Sequence, residues 1–355
     1  MNNLESHKPL TYAASGVDIE AGEVAVSKIR EKVRATFSQE VISDIGGFAG
    51  MFAPDLSGIT HPVLVSSTDG VGTKAMVAKW AGKYDSIGID LVAMCVDDLV
   101  CTGARPLFML DYISIGKLDP SHIEEIVGGI AAGCLKAGTS LIGGEMAEHP
   151  GVMKEGDFDL AGFAVGLADR ELIWGSHRVK SGNRLIGLAS PNLRSNGFSL
   201  ARAAIFGDMA ESEIKALGNL PNWNNSGKSL FELLLEPSVI YSAAISSIPD
   251  RESISSCAHI TGGGILGNLP RSLPEKMGAE IDLSLVEVPR IFADIKRAGS
   301  ISDEEMYRVF NMGVGMVLAV DEKSESKVRD HLEGHLIETF ALGEVTENGG
   351  DIRIV

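Results

Sequence analysis

Apolar and polar positions along this chain follow two periods in turn, and the alternation of the two predicts a mixed α/β protein. Residues 62–68, PVLVSST, are β-branched and apolar and read as a buried strand. Residues 85–102 carry Ile87, Leu91, Met94, Cys95, Leu99 and Val100 at near-helical spacing, with Asp85 placed to cap the helix and Gly103 to end it. A strand follows at 107–115. The next helix opens with Asp119 as N-cap and Pro120 in the first turn, and closes at Gly138. Strands at 139–142 and 158–167 complete the first unit.

From Ala168 to Asn183 the chain turns polar, which sets a domain boundary near 170 and divides it into residues 1–170 and 171–355. The second half alternates again. Strands are predicted at 184–189, 256–260, 279–283, 315–320 and 336–345. Helices are predicted at 197–206, 228–247, 289–298 and 303–310, the last behind the capping box Ser302-x-x-Glu305. Residues 207–228 read as a surface excursion.

Charge changes the picture. Lysine and arginine total 31 against 48 acidic residues, a net −17. A field of that sign disfavours nucleic acid and anionic membranes as partners. It also repels phosphorylated molecules, so a phosphate site must bring its own metal ions, local cations or backbone N–H groups. The four cysteines, Cys95, Cys101, Cys134 and Cys257, form no C-x-x-C pair and read as free thiols in a reducing compartment. The opening MNNLESHKPL has no apolar core and no run is long enough for a membrane span, so a cytoplasmic location is expected.

Five clusters carry candidate chemistry. In Thr68-Asp69-Gly70-Val71-Gly72-Thr73-Lys74, a carboxylate ends a strand and is followed by two glycines, a hydroxyl and a lysine. Such a set can hold a cation against a phosphate chain, and equally makes a hairpin turn. Asp97-Asp98, with Asp90 two turns earlier, lie in an otherwise apolar helix, where carboxylates need water, a cation or a metal. Gly143-Gly144-Glu145-Met146-Ala147-Glu148-His149-Pro150-Gly151 reads as a polar loop with carboxylates suited to Mg²⁺. His259-Ile260-Thr261-Gly262-Gly263-Gly264 and Ser195-Asn196-Gly197, flanked by Arg194, each precede a helix, where backbone N–H groups can cradle phosphate. Nucleotide bound through several Mg²⁺ ions explains why acidic clusters and glycine turns occur together in so acidic a chain.

Eight segments then resemble one family in order: GVDIEAG (16–22), STDGVGTK (67–74), IGIDLVAMCVDDL (87–99), GARPLFMLDY (103–112), GGEMAEHPG (143–151), SNGFSLAR (195–202), HITGGG (259–264) and MYRVFNMGVGM (306–316). Together they look like phosphoribosylformylglycinamidine cyclo-ligase, the AIR synthetase family. The resemblance implies an N-terminal mixed sheet that forms a barrel with a second subunit, and a C-terminal α/β sandwich. It implies an ATP- and Mg²⁺-dependent ligase of purine biosynthesis acting on formylglycinamidine ribonucleotide.

By match to the family's blocks, Asp69, Asp98 and Glu145 are the expected Mg²⁺ carboxylates and, with Lys74, the expected catalytic set. Gly46, Gly47, Gly70, Gly72, Thr73 and Lys74 are expected at the nucleotide. Thr261, Gly262, Gly263 and Gly264 are expected to bind phosphate with it, and Arg194, Ser195, Asn196, Gly197 and His259 to bind substrate phosphate. Several positions depart from the family pattern: Ala13-Ala14 stand for Lys-Asp, Asp97 for Asn, Arg194 for His, Met146 for Thr and His149 for Met. Sister kinases of the superfamily, and a non-catalytic nucleotide-binding relative, are the competing readings. The first is set apart by the HITGGG and MYRVFNMGVGM blocks and by a first cysteine as late as Cys95; the second by retention of Asp69, Asp98 and Glu145.

Overall fold

The computed structural model describes residue 11 and residues 15–355. Among these residues ten strands form two sheets. The first contains β1 (Pro62–Gly70), β2 (Arg105–Ile115), β3 (Ser140–Glu148) and β4 (Phe158–Asp169) in the order β1-β4-β2-β3. β4 runs antiparallel to β1 and β2, while β2 and β3 are parallel. The parallel pair is joined by the helix Pro120–Ala137, which Asp119 caps and Gly138 ends in a left-handed turn as the sequence pattern predicts. That helix crosses Asp85–Val100 closely: a Cβ on Gly129 would lie 1.9 Å from the Asp85 carbonyl oxygen. Asp85 is the first helical residue rather than the cap, which is Tyr84 and makes no side-chain capping bond.

The second sheet contains β5 (Arg184–Ala189), β6 (Ile254–His259), β7 (Gly278–Ile281), β8 (Val314–Val320), β9 (Thr339–Thr346) and β10 (Ile352–Ile354) in the order β10-β7-β9-β5-β8-β6. Every residue of β6 and β8 is buried, in keeping with a sheet covered on both faces. The largest apolar cluster draws on both halves of the chain, joining Leu91 and Ile130 to Phe198, Phe231 and Phe310.

Three expectations are corrected. The helix predicted over 228–247 is two short helices, Leu230–Leu234 and Ser242–Ser246, with non-helical chain between them. Pro237 interrupts the hydrogen-bond ladder there. The backbone of 236–242 is instead taken up by buried charges from elsewhere: Glu236 O accepts from Lys74, Val239 O from Arg194, and the amides of Ser238 and Tyr241 donate to Asp90 and Asp97. Residues 143–148 continue β3 instead of forming a loop, because the glycines make room for a neighbour: a Cβ on Gly144 would lie 1.8 Å from Asp111 Oδ1. The excursion at 207–228 contains the helix Glu211–Gly218, and Ile19–Arg34 and Glu325–Gly334 are helices that the pattern did not reveal.

Candidate active site

Strand register places the acidic groups. Asp69 pairs with Gly162, Gly162 with Asp111, and Asp111 with Gly144, so the four stand in one row across the first sheet. Partners directly opposite share a face, and a Cβ on Gly162 would meet Cys95 Sγ at 2.8 Å on the helix Asp85–Val100. Asp69 and Asp111 therefore face that helix, which itself carries Asp98. The imidazole of His259, at the end of β6, closes on Asp98 with Nδ1 to Oδ1 at 2.8 Å. Burial raises the Asp69 carboxyl above its ordinary value, against the bond from the Gly70 amide, and the nearby charge of Asp98 adds to the rise. His259 Nε2 and Ser195 Oγ are buried with no partner among the described residues. Buried polar atoms in that state are sites for a ligand's own polar groups.

The glycine-rich turns gather round the same place. Gly72, at φ +54°, lies against Ser195 O, and Thr73 Oγ1 is 3.1 Å from Ser199 Oγ. Gly262 stands against Asn196 Oδ1. The Thr261–Gly264 turn is held by Asn268, whose Nδ2 donates to the carbonyls of Gly262 and Gly264 at 3.2 and 2.9 Å. Gly264 is needed twice over, since φ is +59° and a Cβ there would lie 1.9 Å from Tyr307 O. Gly264→Ala is therefore expected to lower stability by about 3 kcal/mol or more, through overpacking and a left-handed alanine together. Thermal unfolding checks this, and a parental melting temperature would return the turn to a freely adjustable one.

Three predicted residues are placed otherwise. Lys74 is fully buried: Nζ pairs with Asp90 Oδ2 at 2.6 Å and donates to Arg194 O and Glu236 O at 3.0 and 3.1 Å. All three of its donors are thus used internally, and it offers no cation to a nucleotide. Arg194 is likewise fully buried, and its Nη2 donates to Asp97 Oδ2 at 2.7 Å, so its charge is spent inside the protein. The same contact gives Asp97 the cation that a carboxylate in an apolar helix needs, so it adds no free negative charge beside Asp98. The two departures from the family pattern meet each other. Glu145 pairs in register with Tyr112, on the sheet face opposite Asp69, and accepts a bond from the Met146 amide. Among the described residues no three His, Cys, Asp or Glu side chains meet as a metal cage. Ala13-Ala14 lie outside the described residues.

Gly46 and Gly47 line a cavity of about 970 Å³ with Asp111, Gly143, Gly144 and Glu145. Asp111 is a candidate for this site that the sequence pattern did not bring out; its signal was a lone carboxylate inside the apolar run LFMLDYISI. Burial pushes its pKa up to about 7. A carboxyl whose folded pKa is raised contributes stability that is full below its unfolded value near 4 and is lost as pH rises through about 7. The ligand-free protein should therefore lose melting temperature between about pH 4 and 7, and Asp111→Asn should flatten that slope. An unchanged slope would place the Asp111 carboxyl in water.

Residues 56–168 match the family described as AIR synthase related protein, N-terminal domain, and residues 180–355 its C-terminal domain. The chain is 45% identical over 346 residues to the phosphoribosylformylglycinamidine cyclo-ligase of Carboxydothermus hydrogenoformans, covering 98% of each chain. It is 47% identical to that of Bacillus cytotoxicus, covering 96% of each. The chain belongs to the phosphoribosylformylglycinamidine cyclo-ligase family. The fold is shared beyond this ligase family: hydrogenase maturation protein HypE in complex with ATP superposes with a TM-score of 0.61 at 15% identity, covering 95% of this chain and 92% of that one. Both halves are thus AIR synthase-type domains, as the eight sequence blocks imply. No helix among the described residues is long and apolar enough to cross a membrane.

Proposed function

We propose that this chain uses ATP to close formylglycinamidine ribonucleotide into aminoimidazole ribonucleotide, releasing ADP and phosphate. The observation that carries this is the meeting of Asp69, Asp98, His259 and the turns at 70–73, 195–197 and 261–264 at one junction between the halves, in a chain whose relatives at 45–47% identity are named cyclo-ligases. In this reading the γ-phosphoryl group passes to the formamide oxygen and ADP leaves. An amidine nitrogen then bonds to the formyl carbon, the C–O bond breaks with departure of phosphate, and the nitrogen gives up a proton.

Asp69 and Asp98 are the carboxylates we assign to Mg²⁺, with Asp111 in the same row. An all-oxygen set of few carboxylates fits this ion, which keeps waters and takes its remaining ligands from phosphates. Two carboxylates brought together in a half-buried place, with Asp69 raised above its ordinary value, also gain from a cation. When bound, Mg²⁺ supplies neutralisation of charge on the transferring phosphoryl group. The protein's own part is positioning. Ser195 Oγ, Asn196, Gly197 and the Thr261–Gly264 turn hold phosphate; Gly46, Gly47, Gly70, Gly72 and Thr73 border the nucleotide; His259 Nε2 is free to contact substrate.

The division of labour follows the two halves, with residues 1–170 carrying the ATP and metal side and 171–355 the phosphate side. We further propose a homodimer through the open face of the first sheet, where Leu64, Tyr112 and Phe163 are 69%, 41% and 41% exposed. A cytoplasmic location accords with four free cysteines. The test is ADP release with ATP and Mg²⁺, with and without formylglycinamidine ribonucleotide, alongside detection of the imidazole. One ADP per imidazole supports the reading, and ADP without imidazole moves the chain to a phosphotransferase.

A further inference from the structure

Asp97 and Arg194 each stand one residue before a group that the proposed function uses: Asp98 on one half of the chain, Ser195 on the other. Both are fully buried, and they meet at 2.7 Å. Asp97 Oδ1 also accepts from the amides of Tyr241 and Ser242, each at 3.0 Å. Arg194 Nη1 donates to Val239 O at 3.1 Å, and its guanidinium lies over the Tyr241 ring, 4.9 Å from the centre.

The backbone of Arg194 is tied as firmly as its side chain. It holds φ +59°, a left-handed conformation that a residue with a Cβ adopts at a cost. Such a conformation persists only where the surroundings over-determine it. Here the amide donates to Asn192 Oδ1 at 2.9 Å and the carbonyl accepts from Lys74 at 3.0 Å. Asn192 is itself anchored, its Nδ2 donating to Pro237 O and its carbonyl accepting from Asn311. The strained residue sets the direction in which Ser195, Asn196 and Gly197 leave.

We propose that the Asp97–Arg194 ion pair is a positioning device that fixes the spacing between the acidic side of the site, at Asp98, and the phosphate-holding turn, at Ser195–Gly197. It touches neither substrate nor nucleotide. Its work is to keep two half-sites, brought together from positions 97 and 194, in one register. A planar guanidinium suits this, because one rigid fork reaches both Asp97 and Val239 O. A lysine there keeps the charge and loses the fork. This inference rests on the proposed function for what the two half-sites do.

The test uses the full-length protein with two readouts, steady-state kinetics and amide hydrogen exchange over residues 192–198. In Arg194→Lys and Asp97→Asn, kcat per folded molecule should fall by about 10- to 100-fold, while KM for ATP stays within about threefold. Exchange over 192–198 should quicken by about tenfold or more relative to the amides of β5 and β8. If Arg194→Lys does not fold, D97N/R194Q, which removes both charges of the pair together, carries both readouts with the same expectation. Parental kcat with parental exchange in either protein would overturn the proposal and leave the pair as a core contact. A raised KM at unchanged kcat would overturn it in favour of direct ligand contact. The exchange readout needs no turnover, so a parent that makes no imidazole sinks the proposed reaction and still leaves the positioning claim decided.

Discussion

Asp69→Asn should abolish turnover, lowering kcat/KM by on the order of 10³, while raising the melting temperature of the ligand-free protein at neutral pH. The two effects share one cause. Burial raises the Asp69 carboxyl above its ordinary value, and the charge of Asp98 raises it further. A raised carboxyl stabilises the fold most at low pH, below its unfolded value, and that contribution is lost as pH rises. At neutral pH the folded protein therefore carries a charge it would be better without, until a cation arrives. Asparagine keeps the shape and removes the charge. The gain in stability should vanish as pH falls below the ordinary aspartate value of about 4, where the carboxyl is protonated in the folded and the unfolded chain alike. Near-parental turnover would take Asp69 out of the site, and a lower melting temperature at neutral pH would make its carboxylate part of the scaffold.

The second large effect is expected at Lys74. Lys74→Met leaves Asp90 fully buried without its cation, and removing one member of a buried pair costs about 3–5 kcal/mol. In a chain of this size that is a fall of roughly 4–7 °C in melting temperature. The double variant K74M/D90N should recover part of the loss and not all of it. An amide oxygen in place of the Asp90 carboxylate can still accept from Ser238, but Arg194 O and Glu236 O each lose the donor that Lys74 gave them. Calorimetry of the two variants side by side tests this. A Lys74→Met protein as stable as its parent but with ATP binding abolished would restore this lysine to the nucleotide.

The helices at 85–100 and 120–137 were legible because their signals are local: an apolar stripe, and for the second a capping aspartate, a first-turn proline and a terminal glycine. The place of Asp69 at a strand end was legible for the same reason. What the pattern could not show is where a side chain points once two distant segments meet. Lys74 follows a glycine-rich turn, and its spacing from Asp69 says nothing of an inward course toward Asp90. Asp97 and Arg194 each look like an isolated departure from the family's blocks, and only the fold makes them one pair. Residues 228–247 keep a helical spacing of apolar positions, yet their backbone is claimed by charges from other elements. Gly143-Gly144 reads as a turn, since glycine is a breaker in sequence; here its value is the room it leaves for the Asp111 carboxylate.

The apolar cluster that joins Leu91 and Ile130 to Phe198, Phe231 and Phe310 ignores the boundary between the sheets. Two domains by strand topology are thus one body in solvent terms. Cutting the chain in the stretch between β4 and β5 would yield two fragments that each present bare hydrocarbon, together with Asp90, Asp97, Lys74 and Arg194 stripped of their partners across the cut. Neither piece is a candidate for separate expression or for recombination with another sheet. A change on one side of that shared interior has to be answered on the other, as the charge of Asp97 is answered by that of Arg194.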